Sequence, residues 1–267
     1  MLSTTHRRLT ALAAILAAFA TDQAAARADY ATTVLANSPV GYWRLGDAPG
    51  STTALDSSTT ANDGAYFGSP VLGVAGLIDD PNTAVDFGGV SGVTIAHSSL
   101  YDFVDQPFTI EAWVKFDGPT PFNSRIFDNV GAGTPDGYGL GINDSSMILF
   151  GSVNASVNFS FLDSRAHYIV FTSDGLGTAN GYVDGILVGS AAYSSSFPFS
   201  GPVHIGADSN GVNRFNGIID EVALYGSALS GDQIQAHYRA GVVPEPSSIV
   251  LGAIGLGWLG SRTRRRR

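Results

Sequence analysis

Carboxylates are the reactive groups this sequence supplies in quantity. Asp and Glu outnumber Lys and Arg 23 to 14, for a formal net charge of −9. Much of the positive charge sits at the two ends, in Arg7, Arg8 and Arg27 and in Arg262 and Arg264 to Arg267. Residues 29–243 are therefore more acidic than the whole, and their basic residues are Arg44, Lys115, Arg125, Arg165, Arg214 and Arg239. Nucleic-acid binding is disfavoured, because phosphate contacts need a basic face. A glycosidase would place two carboxyls about 5–9 Å apart, flanking one bond. The only glutamates in this stretch are Glu111 and Glu221, each on its own expected strand, and no Glu-x-Asp-x-x-Glu pattern occurs. Asp220 and Glu221 are neighbours, and strand alternation is expected to send them to opposite faces. No nucleophile elbow, His-Glu-x-x-His helix or glycine-rich phosphate loop appears. The chain therefore reads as non-enzymatic. His97, His167, His204 and His237 show no metal-ligand spacing and read as surface or hydrogen-bonded structural residues.

Aromatic rings offer a second chemistry, since sugar-binding surfaces stack rings on pyranose faces. Trp43 and Trp113 lie in hydrophobic stretches and are expected in the core. Tyr138 and Tyr193 stand beside Gly-rich or Ser-rich segments and are expected exposed, as candidate glycan-binding residues.

The elements that must position these groups are mostly strands. Between residues 29 and 243 nearly all acids are Asp, which favours turns and caps over helix interiors. Gly, Ser, Asn and Asp punctuate the chain every 8 to 12 residues, the rhythm of short strands joined by turns. Phe108 to Phe116 alternates best: Phe108, Ile110, Ala112, Val114 and Phe116 on one face, Thr109, Glu111, Trp113 and Lys115 on the other. Further strands are expected at 40–45, 84–87, 93–96, 125–127, 138–142, 147–150, 157–161, 167–172, 182–183, 186–188, 203–205 and 217–225. Asp184-Gly185 signals a tight type I′ hairpin. A short helix should begin at Ser230, with Gln233 at the capping-box position and Gly241 just past its end. A second short helix is expected over 31–36. Many strands with almost no helix predict an all-β fold: a two-sheet antiparallel jelly-roll sandwich. With no cysteine, disulfides play no part.

The two ends are expected to lie outside this domain. His6, Arg7 and Arg8, the apolar run 9–20 and Ala26-Arg27-Ala28 have the layout of a secretory signal peptide over residues 1–28. Pro244-Glu245-Pro246, an apolar run to Leu259, and Arg262 with Arg264, Arg265, Arg266 and Arg267 follow the domain. The prolines interrupt regular structure, the apolar run partitions into lipid, and the arginines stay cytoplasmic. The run is shorter than the roughly 20 residues of a spanning helix. Residues 242–267 resemble the PEP-CTERM sorting signal of Gram-negative bacteria. That resemblance implies an exosortase-like membrane protease as partner, a membrane anchor through the C-terminal segment before processing, and delivery to the cell surface or extracellular matrix. An ordinary tail anchor with a basic stop is the alternative.

Ser38 to Asp47, Phe108 to Lys115, Gly181 to Gly185, and Phe215 to Tyr225 with the helix that follows appear in an order that resembles the laminin G-like, concanavalin A-like jelly-roll domains of secreted bacterial proteins, over residues 29–241. The resemblance implies the fold and leaves the function open, since such domains include lectins, adhesion modules, carbohydrate-binding modules and glycosidases. It also implies a structural Ca2+, which takes six to eight oxygens. The loop with Asp56, Asn62 and Asp63 resembles the family's Asp-rich loop, and Asp220 is the other family-like acid. The competing reading makes Asp56, Asn62 and Asp63 turn residues bonded to their own backbone, with Asp220 paired to Arg44 or Arg214. Asp208-Ser209-Asn210-Gly211 is a further oxygen-rich loop or a plain turn. The sequence thus points to an exported, non-catalytic surface or matrix protein binding glycan or extracellular polysaccharide. The alternatives are a purely structural matrix component and a divergent glycoside hydrolase.

Overall fold

The alternation in 108–116 sorts side chains between two layers of apolar packing. Phe108, Ile110, Ala112, Val114 and Phe116 enter the core between the sheets, while Trp113 joins a separate cluster on the outer side. The computed structural model describes residues 29–242, apart from 119–122, 132–135, 161–162 and 195–200. The signal-peptide and sorting segments, with Pro244 to Pro246 and Arg264 to Arg267, lie outside the described residues.

In chain order the elements are α1 (Tyr30–Leu35), β1 (Gly41–Trp43), β2 (Thr53–Ala54), β3 (Gly64–Phe67), β4 (Val71–Ala75), β5 (Thr83–Asp86), β6 (Gly92–Ile95) and a 3-10 turn (Ser99–Tyr101). Then come β7 (Phe108–Phe116), β8 (Ser124–Val130), β9 (Gly137–Asn143), β10 (Ser146–Phe150), β11 (Ala155–Asn158) and β12 (Ala166–Ser173). The chain closes with β13 (Thr178–Val183), β14 (Ile186–Ala192), β15 (Val203–Ile205), β16 (Gly217–Tyr225) and α2 (Gly231–Val242). The first sheet runs β14-β13-β12-β7-β16-β5-β4, with β1 also paired to β16; the second runs β11-β10-β9-β8-β15-β6-β3-β2. The strand pairs are antiparallel, as in a jelly-roll sandwich.

The local signals act as expected. Asp184 and Gly185 both have positive φ (52° and 75°), which a type I′ turn requires. Ser230 N–H donates to Gln233 Oε1 (2.9 Å), and Gln233 N–H donates back to Ser230 Oγ (3.3 Å). Gly241 differs from expectation, because it lies inside α2. A Cβ there would sit 2.6 Å from the Trp113 ring, so glycine is needed for close packing and not to end the helix.

The outer face of the first sheet is closed by α1 and α2. Tyr30, Val34, Tyr42, Trp113, Tyr168, Tyr225 and Ile234 form a second apolar cluster there. At its centre the buried Glu111 accepts hydrogen bonds from the hydroxyls of Tyr168 (2.6 Å) and Tyr225 (2.9 Å) and pairs with His237 Nδ1 (2.9 Å). A buried carboxylate needs such partners to offset its lost hydration. The outer face of the second sheet carries no helix among the described residues, and it holds the candidate site.

Candidate functional site

Three strands of the second sheet build a polar cluster on its outer face. In β15, Val203 and Ile205 enter the core, so His204 points outward. In β8, the register shifts between Arg125 and Phe127, so that Ile126 and Phe127 both enter the core and Arg125 and Asp128 face out. His204 pairs directly with Asp128 across the two strands. Strand β9 sends Tyr138, Leu140 and Ile142 inward and leaves Gly137, Gly139 and Gly141 facing out. This floor without side chains makes room for Phe150 of β10. A Cβ on Gly141 would stand 2.7 Å from the Phe150 ring. The Arg125 guanidinium lies on that ring, 3.2 Å from its centroid.

The polar atoms of this cluster are buried yet incompletely satisfied. Arg125 Nε approaches Asp128 Oδ1 at 2.9 Å as an ion pair, but without hydrogen-bond alignment. Arg125 Nε and Nη1, Asp128 Oδ1 and His204 Nδ1 have no hydrogen-bond partner. Asp128 is 0% exposed, and Arg125 and His204 are each 8% exposed. Buried polar groups normally have partners, so several unmet ones together mark a place where a ligand or water belongs. A cavity of about 210 Å³ opens there, lined by Arg125, Asp128, Val130, Gly131 and the turn residues Asp208, Ser209 and Asn210. Burial pushes the Asp128 carboxyl up to about 7, with Arg125 opposing and Asp208 adding to the rise. Burial lowers the His204 pKa, against the pull of Asp208. The cavity thus offers donors on Arg125 and an acceptor on Asp128, suited to binding hydroxyl groups, and His204 stands beside Asp128 outside the lining.

Of the residues singled out from the sequence, the turn at Asp208 borders this cavity and the candidate glycan and calcium residues lie elsewhere. Tyr138 and Tyr193, expected as exposed platforms, are only 1% and 4% exposed. Tyr138 packs against Phe108 at 4.7 Å between centroids, and the Tyr193 hydroxyl donates to the Phe150 carbonyl (3.3 Å). The glycines beside Tyr138 signal close packing on a strand, not a loop. Trp43 and Trp113 are buried, as expected. The oxygen-rich loop is a self-contained turn network. Asp56 Oδ1 accepts from the backbone N–H of Tyr42 and Ser58, and its Oδ2 accepts from Thr60 Oγ1 and Asn62 N–H. Asp63 Oδ1 accepts from Asp56 N–H, and the Asn62 side chain donates to the Ala96 carbonyl. Asp220 shares no partner with them; its Oδ2 accepts from Leu77 N–H and its Oδ1 is unmet. Among the described residues, no group of three or more His, Cys, Asp or Glu is placed to hold a metal ion. These four residues therefore do not fit a calcium cage. Asp208 likewise accepts from Asn210 N–H, Val212 N–H and Asn213 Nδ2, forming a plain turn.

The two glutamates are locked in place. The expectation that Asp220 and Glu221 face opposite ways is corrected by a bulge: Glu221 has φ 53°, and the register with β7 shifts between Asp220 and Ala223. Both carboxylates then lie toward the outer side of the first sheet. Glu221 accepts from Arg44, Asn82 and the Tyr42 hydroxyl, and Arg44 also pairs with Asp80 (2.8 Å). Arg44 thus takes Glu221 and Asp80 as partners, not Asp220. Three of the four histidines behave as expected: His167 bonds Asp163 and Asp184, His237 bonds Glu111, and His97 sits 3.7 Å from Asp102. His204 is the exception. The one sequence signal for the site was the Gly137-x-Gly-x-Gly alternation, which empties one face of a strand.

Residues 87–235 match the family model described as the concanavalin A-like lectin/glucanases superfamily. The chain belongs to this superfamily. Among solved structures it is similar to domain 4 of AbnA, a GH43 extracellular arabinanase from Geobacillus stearothermophilus, in complex with arabinotriose. The two are 17% identical with a TM-score of 0.58, over 75% of this chain and 98% of that one. It is also similar to the binding domain of botulinum neurotoxin DC in complex with SialylT, at 13% identity and a TM-score of 0.57 over 77% of this chain. The binding domain of Paraclostridial Mosquitocidal Protein 1 gives 14% identity and a TM-score of 0.56 over 77% of this chain. This concanavalin A-like chain spans about half of those toxin chains, 52% and 53%. At such identities the likeness is one of fold. No curated protein matches the sequence.

Proposed function

We propose that this concanavalin A-like protein is an exported, non-catalytic surface or matrix component whose sandwich binds a glycan or another extracellular polymer. The observation that carries the reading is the outward-facing pair of Arg125 and Asp128, whose buried polar atoms lack hydrogen-bond partners and border a cavity. Support comes from the company the fold keeps: similar structures are described in complex with arabinotriose, with SialylT and through interaction with ganglioside molecules. Glu111 and Glu221 are buried and held by several partners each, so neither is free to protonate a glycosidic oxygen. Asp128, with its raised pKa, has the character of a general acid. Asp208, the other acid lining the cavity, has both oxygens engaged by its own turn. This engagement supports the non-catalytic reading over a two-carboxylate hydrolase.

The reading includes the ends of the chain: a signal peptide over 1–28, and an exosortase-type signal built on Pro244, Glu245 and Pro246 ahead of Arg264 to Arg267. Replacing the three motif residues by Ala is expected to leave export intact and hold the protein in the inner membrane. Unchanged fractionation in a host with an exosortase would remove this part of the proposal. Retention of the purified protein on polysaccharide from its own cells, without release of reducing sugar, tests the binding function. Release of reducing ends would overturn the non-catalytic reading; neither retention nor release would favour a purely structural component.

A further inference from the structure

We infer that the cavity lined by Arg125, Asp128 and Asp208 selects an uncharged sugar, held by a pair of adjacent hydroxyls, over an acidic one. This rests on the glycan-binding reading and names the ligand class of that same site. The charges facing the cavity decide it. Arg125 is the only cation among the lining residues, and its Nε already has Asp128 Oδ1 at 2.9 Å. Above about pH 7, where Asp128 is ionised, Asp128 and Asp208 both present negative charge to the cavity. Arg214, which follows the Asp208 turn, turns away, donating to the Gly211 and Val90 carbonyls and lying over the Phe67 ring. A uronate or sulfate would have to separate Asp128 from Arg125 and then lie against two acids; like charges at such range repel strongly when solvent is excluded.

A neutral diol meets the unmet atoms without that cost. One hydroxyl donates to Asp128 Oδ1 and accepts from Arg125 Nη1, neither of which has a hydrogen-bond partner. Its neighbour reaches the other Asp128 oxygen, which accepts from Ser209 N–H at 3.1 Å. Ring stacking plays little part, because the Arg125 guanidinium already covers the Phe150 face. The volume, about 210 Å³, is below the range of about 300–1,000 Å³ typical of drug-sized ligands. The cavity therefore suits one sugar ring, a chain end or a branch. Affinity for a single ring should lie near the millimolar range, where a few hydrogen bonds and little buried area place it.

The test is titration of the full-length protein with methyl glycosides of glucose, mannose and galactose and with the methyl glycoside of glucuronic acid, followed by NMR line broadening of the sugars. At least one neutral glycoside is expected to bind tenfold or more tightly than the glucuronide. Its affinity is expected to change little between about 0.05 M and 0.5 M salt, since no net charge is neutralised. Asp128→Asn and Arg125→Lys are each expected to weaken it tenfold or more, with the melting temperature recorded as a control on folding. Tighter binding of the glucuronide, weakening steeply with salt, would overturn this inference and leave glycan binding standing. Neutral binding that survives in both folded variants would overturn the site. No binding to any of these sugars, together with no retention on the native polysaccharide, would overturn both this inference and the functional reading beneath it.

Discussion

His204 and Asp128 face each other across β15 and β8 on the outer side of the second sheet, and neither His204 Nδ1 nor Asp128 Oδ1 has a hydrogen-bond partner. The pair is held there by its neighbours, Val203, Ile205, Ile126 and Phe127, which are buried in the core. Stability has been given up locally, as is common where a protein keeps groups ready for a ligand.

The Asp128 carboxyl makes this cost dependent on pH. Its folded pKa of about 7 exceeds the unfolded value near 3.9. Between these values the folded state binds the extra proton, so stability falls as pH rises from about 4 to about 7 and the full penalty applies above that. Asp128→Asn removes the titration. The variant is expected to gain on wild type by an amount that grows with pH, reaching on the order of 2–4 kcal/mol at pH 8. Urea unfolding at pH 5 and pH 8 measures it; parallel pH dependence in the two proteins would show that Asp128 does not titrate in this window.

Arg44 is the cation that holds the acids around the β16 bulge. Its Nη2 lies 3.0 Å from Glu221 and 2.8 Å from Asp80, and Glu221 is fully buried. Arg44→Met strands Glu221 and is expected to cost about 3 kcal/mol. Adding Glu221→Gln should recover much of the loss, because the stranded charge is gone. Equal stability of the single variant and wild type in chemical denaturation would contradict the network.

His237 ties α2 to the sheet. Burial lowers its pKa, but the charge and hydrogen bond of Glu111 outweigh burial, and the net shift is upward. A raised histidine contributes stability that is fully present below about pH 6.5 and is lost as pH climbs through the folded value. Wild type is therefore expected to lose melting temperature between slightly acidic and alkaline pH, and His237→Gln is expected to start lower and to lose less. Thermal melts across that range decide it.

Calcium bears on the same acids. Both oxygens of Asp56 are taken by protein donors, and Asp220 offers one unmet oxygen where a calcium ion takes six to eight ligands. The melting temperature is expected to be the same in millimolar calcium and in chelator, since oxygens already bonded within the protein give calcium no folded-state site to stabilise. A calcium-dependent rise that disappears in Asp220→Ala would establish the cage.

What the sequence determined by itself is what neighbouring residues settle among themselves. The alternation in Phe108–Phe116, the Asp184-Gly185 turn and the Ser230–Gln233 cap all appear as read, because each depends on backbone geometry within a few positions. The short strands β2, β3 and β4 were not read; Val71–Ala75 alternates only weakly in burial and holds a glycine at φ 77°. Only the tertiary structure decided which side chains meet. Tyr138 is a core residue because β9 turns its alternate positions inward. Glu221 joins Asp220 because a bulge rotates it, and His204 meets Asp128 because β15 pairs with β8 from far along the chain. Register between distant strands is a collective result of packing both faces of two sheets, and no local run of residues encodes it.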